Sequence, residues 1–162
     1  MSMISTNPAI DPNLCVESPI LIDLLAYWRQ ACAGRPMPAR ADIDPVQMKP
    51  TLLPYILLVD VEHEPRIRYR WRLISTHITM VLDRDKTGAY WDEIYDREEM
   101  ESMTFRADWV VRRRLPLRST GHCIERDRDF DHNEALFMPL SDDGSVINMM
   151  MMGSVYTVPL RG

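Results

Sequence analysis

Arg66-Ile67-Arg68-Tyr69-Arg70-Trp71-Arg72-Leu73 is the stretch that decides the fold. Apolar side chains fall on every second residue and arginines fill the positions between. A period of two belongs to a β-strand, whose successive side chains point to opposite faces. The strand therefore has one apolar face and one cationic face. Just before it, Tyr55 to Glu62 (YILLVDVE) is a second β-type run, and His63-Glu64-Pro65 supplies the turn. The two runs predict an antiparallel hairpin. Four arginines about 6.6–6.8 Å apart on one strand face could serve an anion or an acidic partner. The favoured reading is a solvated face paired with acidic neighbours such as Asp60 and Glu62, because cross-strand ion pairs stabilise a sheet by roughly 0.2–1 kcal/mol each.

Outward from the hairpin, the signals on both sides are helical. On the N-terminal side, Ser18-Pro19 is an N-cap followed by proline at the first helical position. This predicts a helix to about Ala33, stopped by Gly34 and Pro36. Ile20, Leu21, Ile22, Leu24, Leu25, Ala26, Tyr27 and Trp28, with only Asp23 between them, leave this helix apolar on most sides, so more than one surface must cover it. A proline-rich loop follows, and Asp44-Pro45 predicts a short helix that Pro50 ends. On the C-terminal side, residues 76–95 read as short helices around Gly88. Asp96 with Glu99 forms a capping box that opens a long helix to about Arg114. Its acidic start and its Arg112-Arg113-Arg114 end suit the helix dipole. Three β-like segments close the chain, at about 116–125, 132–140 and 146–158. The fold class is α+β.

This order resembles the PAS fold, a five-stranded antiparallel sheet with helices inserted between strands 2 and 3 and an N-terminal flanking helix. Further residues carry the resemblance: Leu25 and Trp28; Gly34-Arg35, Pro38, Arg40 and Asp42-Ile43-Asp44-Pro45; Leu53-Pro54; Tyr69-Arg70, Arg72-Leu73 and Thr76; Asp85 and Thr87-Gly88; Met138-Pro139-Leu140-Ser141 and Asp143-Gly144. Together they are similar to a stand-alone PAS-like family common in alphaproteobacteria. The chain departs from that pattern at Ser75 and Asp83, where the family usually has glycine. The resemblance implies an irregular arm over 1–17, one PAS-like domain over 18–160, and a signalling or regulatory role without established catalysis.

Composition agrees with one soluble domain. The chain has 162 residues, 46% of them hydrophobic and 27% charged, which excludes a disordered chain or a disulfide miniprotein. No apolar run approaches a membrane span, and no signal peptide is recognisable. A net charge of −5 argues against nucleic acid as a partner. Three cysteines, Cys15, Cys32 and Cys123, form no metal-ligand spacing and read as reduced thiols of a cytoplasmic protein. GxSxG, HExxH, P-loop and GxGxxG motifs are all missing. Gly121-His122-Cys123 comes nearest to a reactive pair, but strand neighbours point to opposite faces. The chain is therefore expected not to be an enzyme and to hold no metal. Some PAS domains hold haem through a histidine where His77 falls; a lone histidine near a helix start carries no ligand spacing, so no cofactor is expected.

The candidate binding residues follow from alternation and from where PAS domains keep ligands. Tyr69, Trp71 and Leu73 on the strand, His77, Met80 and Leu82 after it, and Met138 with Met150 from the Met149–Met152 run are expected to line a cavity for a small apolar ligand. Methionine makes such a lining deformable. Leu21, Leu24, Leu25 and Trp28 are expected to form an exposed stripe on the first helix, the interface of a homodimer. The function expected is a stand-alone sensory or regulatory module acting on a protein signalling partner. The alternative from another class is a small α+β enzyme with a cleft beneath the helices.

Overall fold

The two runs on either side of His63-Glu64-Pro65 do pair antiparallel, joining Val59 to Trp71 and Val61 to Tyr69 with a bulge at Leu58/Val59. The computed structural model describes residues 7–82, 86–125 and 128–157, and the side chains of these apart from 81–82, 122–125 and 128–131. His122, Cys123, Leu82, Asp83 and Asp85, singled out from the sequence, thus lie wholly or in their side chains outside the described residues. In chain order the elements are β1 (Ala9–Asp11), α1 (Pro19–Cys32), β2 (Ile56–Glu62), β3 (Arg68–Ile74), α2 (Thr76–Leu82), α3 (Trp91–Ile94), α4 (Arg97–Arg113), β4 (Leu117–Glu125), β5 (Arg128–Leu140) and β6 (Met149–Thr157). One antiparallel sheet runs in the order β1-β4-β5-β6-β2-β3.

Six strands replace the five expected. The extra one is β1, inside the segment read as an irregular arm; Ile10 pairs with Ser119 at the β4 edge. A second correction concerns the chain before β2. The expected helix after Asp44-Pro45 is only a turn, and a 3-10 turn instead begins at Pro50 and runs to Tyr55. Proline tolerates a helix's first position but ends one that reaches it from behind.

Register assigns the faces. Leu136 and Ile56 flank Gly153, while Met138 and Leu58 flank Met151, so these residues share the outer face. α1 lies on that face so closely that a Cβ on Gly153 would stand 2.5 Å from a methyl of Leu24 and 2.7 Å from one of Leu21. The other side of α1 is covered by the chain's own 37–55 segment. Tyr27 Oη accepts the Asp44 amide at 2.8 Å, Lys49 meets Asp23 at 2.9 Å, and Met37, Ile43, Met48 and Leu52 are buried. Trp28 Nε1 donates to the Pro139 carbonyl at 3.0 Å. Leu21, Leu24, Leu25 and Trp28, expected as an exposed interface, are therefore buried within one chain. The helix needed two surfaces, and a single chain provides both. Of its large apolar residues, Ile22 remains exposed.

The start of α1 is set by charge. Ser18 makes no side-chain cap. Instead, Glu134 on β5, 3% exposed, accepts the amides of Glu17 at 2.9 Å and Ser18 at 2.8 Å, and Nε of Arg118 at 2.6 Å. Arg118 also reaches Asp11 at 3.3 Å, which ties β1 into the same network. Burial pushes the Glu134 carboxyl up, but the two amides and the guanidinium outweigh it and hold the group below its ordinary value. α4 begins as its capping box predicts, with reciprocal bonds of 2.9 and 2.8 Å between Asp96 and Glu99.

Two outcomes follow for stability. Gly153→Ala should cost about 1–3 kcal/mol in urea unfolding, the usual cost of overpacking, because both leucines it meets are fully buried. Glu134→Gln should destabilise at neutral pH by less than the ~3–5 kcal/mol seen when one partner of a buried pair is removed, since Arg118 keeps Asp11. A lowered native carboxylate contributes stability above its ordinary value of 4.5 and loses it as pH falls through the native value. The gap between wild type and variant should therefore narrow in acid, which parallel urea titrations at neutral and acid pH would measure.

Candidate functional site

On the inner face of the sheet, opposite α1, β2 and β3 present Val59, Val61, Tyr69 and Trp71. Met150 and Met152 on β6 join them, with Ala135 and Phe137 on β5. Trp91 of α3 lies against this surface and is fully buried. Its ring stacks on Tyr69 at 4.8 Å between centroids and tilts against Trp71 at 5.2 Å. Trp71 Nε1 donates to Tyr95 Oη at 3.0 Å, and Tyr69 Oη donates to Asp108 of α4. Burial pushes the Tyr95 phenol up to about 12. Burial and the Asp108 bond raise Tyr69 further, so both phenols stay protonated. Trp91 Nε1 finds no acceptor.

Nearer β4, α4 places the buried Arg106 over the Phe137 ring at 5.1 Å. Arg106 Nη1 donates to Ser119 Oγ at 3.0 Å and its Nε to the Ser102 carbonyl at 3.2 Å. Asn133 Nδ2 donates to Ser154 Oγ at 2.9 Å on the same face. The inner face is thus aromatic toward β3 and polar toward β4.

Only part of the expected lining assembles here. Tyr69, Trp71 and Met150 are buried together on the inner face. Met138 is buried as well, but register pairs it with Met151, so it stands on the α1 face. Leu73 pairs with Leu58 on that outer face and is 44% exposed; Met80 is 76% exposed on α2. Neither can line an interior site. His77 is half-buried, its ring 4.5 Å from that of Tyr55, and Nε2 has no hydrogen-bond partner. Burial lowers its pKa, so the imidazole is neutral near pH 7. Trp91 itself escaped the sequence reading. Its short segment, Trp91-Asp92-Glu93-Ile94, is polar in the middle and has no periodicity to mark one apolar face.

The arginine row is resolved by ion pairs. Arg70 meets Asp60 at 2.8 Å, and Arg68 holds Asp92 in a two-pronged contact of 2.8 and 2.7 Å. Arg66 lies 3.6 Å from the same Asp92. The Arg68 guanidinium also sits 3.7 Å over the Tyr90 ring, whose hydroxyl donates to Glu62 at 2.8 Å. Glu62 therefore serves Tyr90, while Asp60 takes the arginine.

The layout is thus an antiparallel sheet with one helix on its outer face and a run of helices on its inner face. The chain belongs to the PAS domain family, whose profile matches residues 16–155. A search of curated proteins finds no match. Among solved structures it is similar to one described as an RNA-binding light-oxygen-voltage receptor, at 11% identity and a TM-score of 0.48. That match covers 94% of this chain and 39% of the receptor chain, so this chain spans well under half of its length. Among the described residues, no helix is long and apolar enough to cross a membrane.

Tyr69→Phe tests the link between sheet and α4. It removes the hydroxyl that Asp108 accepts and leaves a half-buried carboxylate short of a donor. Urea unfolding should show a loss of about 1–3 kcal/mol; an unchanged midpoint would mean that the bond contributes nothing.

Proposed function

We propose that this PAS domain is a regulatory module that acts by protein contact. The observation that carries this reading is Trp91. The chain's own indole packs against Tyr69 and Trp71, two of the residues expected to line a ligand cavity. Leu73 and Met80, the residues expected to complete a lining, face outward instead. A domain packed in this way passes on its state through its surface. Free thiols at Cys15 and Cys32 suit a cytoplasmic setting, which belongs to the same reading.

One observation favours a second reading. Trp91 Nε1 is a buried donor without an acceptor, and such a group carries a desolvation cost of roughly 1–3 kcal/mol. A small, largely apolar molecule bearing one oxygen acceptor would satisfy it if the ring moved to admit it. The alternative of a small enzyme gains no such support, since Tyr69 and Asp108 on this face are committed to each other.

Native mass spectrometry of protein purified from its own host separates the two. On the contact reading the chain flies at its own 18.9 kDa, or at whole multiples of it. A retained small-molecule increment that Trp91→Phe removes would overturn that reading in favour of the second.

A further inference from the structure

α4 buries Ser102, Met103, Arg106, Ala107 and Val110. Phe105, Trp109, Arg112 and Arg113, spaced i, i+4, i+7 and i+8, share another face of the helix. Phe105 is 53% exposed, and Leu115, just past the helix end, is 55% exposed. Trp109 is half-buried, with the Arg113 guanidinium 5.8 Å over its ring. Arg112, Arg113 and Arg114 are all exposed, and none has a carboxylate partner among the described residues; Arg112 donates to the Asp108 carbonyl of its own helix at 3.3 Å. Elsewhere Arg68, Arg70 and Arg118 each hold a carboxylate, in a chain whose acidic residues outnumber its basic ones by 24 to 19.

The helix dipole accounts for a basic last turn. It does not account for the exposed rings and aliphatic surface around that turn. Aromatic side chains gathered with arginines are the composition of an interface centre. Charge then selects the partner. A phosphate backbone would leave Phe105 and Leu115 unanswered and would meet the exposed Glu98 and Glu101 at the other end of the helix. A segment that alternates carboxylates with apolar side chains answers both halves of the surface, since arginine binds carboxylate through two parallel hydrogen bonds. We propose that this end of α4 docks an acidic, amphipathic segment of a different protein. Its apolar side chains lie on Phe105, Trp109 and Leu115, and its carboxylates face Arg112, Arg113 and Arg114. The proposal rests on the contact reading above and adds to it the surface used and the chemistry of the partner.

The test is light-driven crosslinking of the full chain in its own host. A benzophenone amino acid replaces Leu115 in one variant and Val46, 90% exposed on the segment before β2, in another. The expected result is an adduct at 115 with a second protein whose crosslinked stretch, read by peptide sequencing, is acidic and amphipathic. A synthetic peptide copying that stretch should bind the purified chain less tightly as salt rises. Arg112→Gln, Arg113→Gln and Arg114→Gln together should weaken that binding about tenfold or more, whereas the three lysine replacements should retain most of it. Both triple variants should keep the wild-type urea midpoint, which separates lost docking from lost folding. An adduct at 115 with nucleic acid, with a second copy of this chain, or with a stretch that is not acidic overturns the proposal. Adducts at 46 alone also overturn it, while the contact reading stands. No adduct at either position removes both.

Discussion

A buried carboxylate has to be answered, and at Glu134 the answer fixes where the chain can go. With 3% of its surface exposed, this group could ionise only if donors converged on it. Arg118 comes from the adjacent strand, and the amides of Glu17 and Ser18 come from the segment that leads into α1. Those amides set the point at which α1 leaves the sheet edge. Asp11 then has Arg118 within reach, and β1 follows along β4. From that starting point α1 can run only across β5 and β6, where the missing side chain of Gly153 lets Leu21 and Leu24 come down onto the sheet. Glycine is costly in a strand, so its presence at a close helix contact has a packing reason. Electrostatics sets the origin of α1, and packing sets its height.

Covering both faces explains the methionine run. Met149 to Met152 alternate along β6, yet all four are buried, because α1 covers one face and the α2–α4 side covers the other. A strand that is buried on both sides has no polar half and reads as a continuous apolar run. The faces then diverge in chemistry. The outer one is aliphatic around a glycine. The inner one combines stacked rings with Arg106, Ser119 and Asn133; the bond from Arg106 to Ser119 ties α4 to β4, while Asn133 joins β5 to β6 through Ser154.

Local signals in the sequence were sufficient where structure is local. Strict alternation over Arg66–Leu73 and the Asp96/Glu99 capping box each occupy a few consecutive residues, and both read through to the elements observed. β1 was not legible: three residues beside Pro12 have no propensity of their own, and what holds them is Arg118, far along the chain. The cover of α1 is hidden from the sequence for a related reason. Its apolar excess calls for a second surface, but the loop that supplies it is irregular, and nothing periodic marks Met37, Ile43, Met48 and Leu52 as a cover. The pairing of Met138 with Met150 failed by a single residue. Alternation fixes which residues of one strand share a face; only the length of the turn between β5 and β6 decides which face of the next strand they join.

The arginine row does more than pair with its acidic neighbours. β3 is an edge strand, and an open edge invites pairing with another chain. Here Arg70 forms a bridge to Tyr90, the Trp71 amide donates to the Ala89 carbonyl at 3.0 Å, and the Gly88 amide donates to the Trp71 carbonyl at 2.7 Å. That short segment occupies the middle of the edge, and the arginines hold it there. Arg68 grips Asp92 and covers the Tyr90 ring, while Arg70 is anchored on Asp60. Surface ion pairs taken singly contribute little. Gathered on one strand around one tyrosine, they position the backbone that protects the edge, and they lead directly into Trp91, the next residue and the ring that fills the inner face. A cationic strand face that the sequence marks as solvated and ion-paired thus also serves to close the sheet.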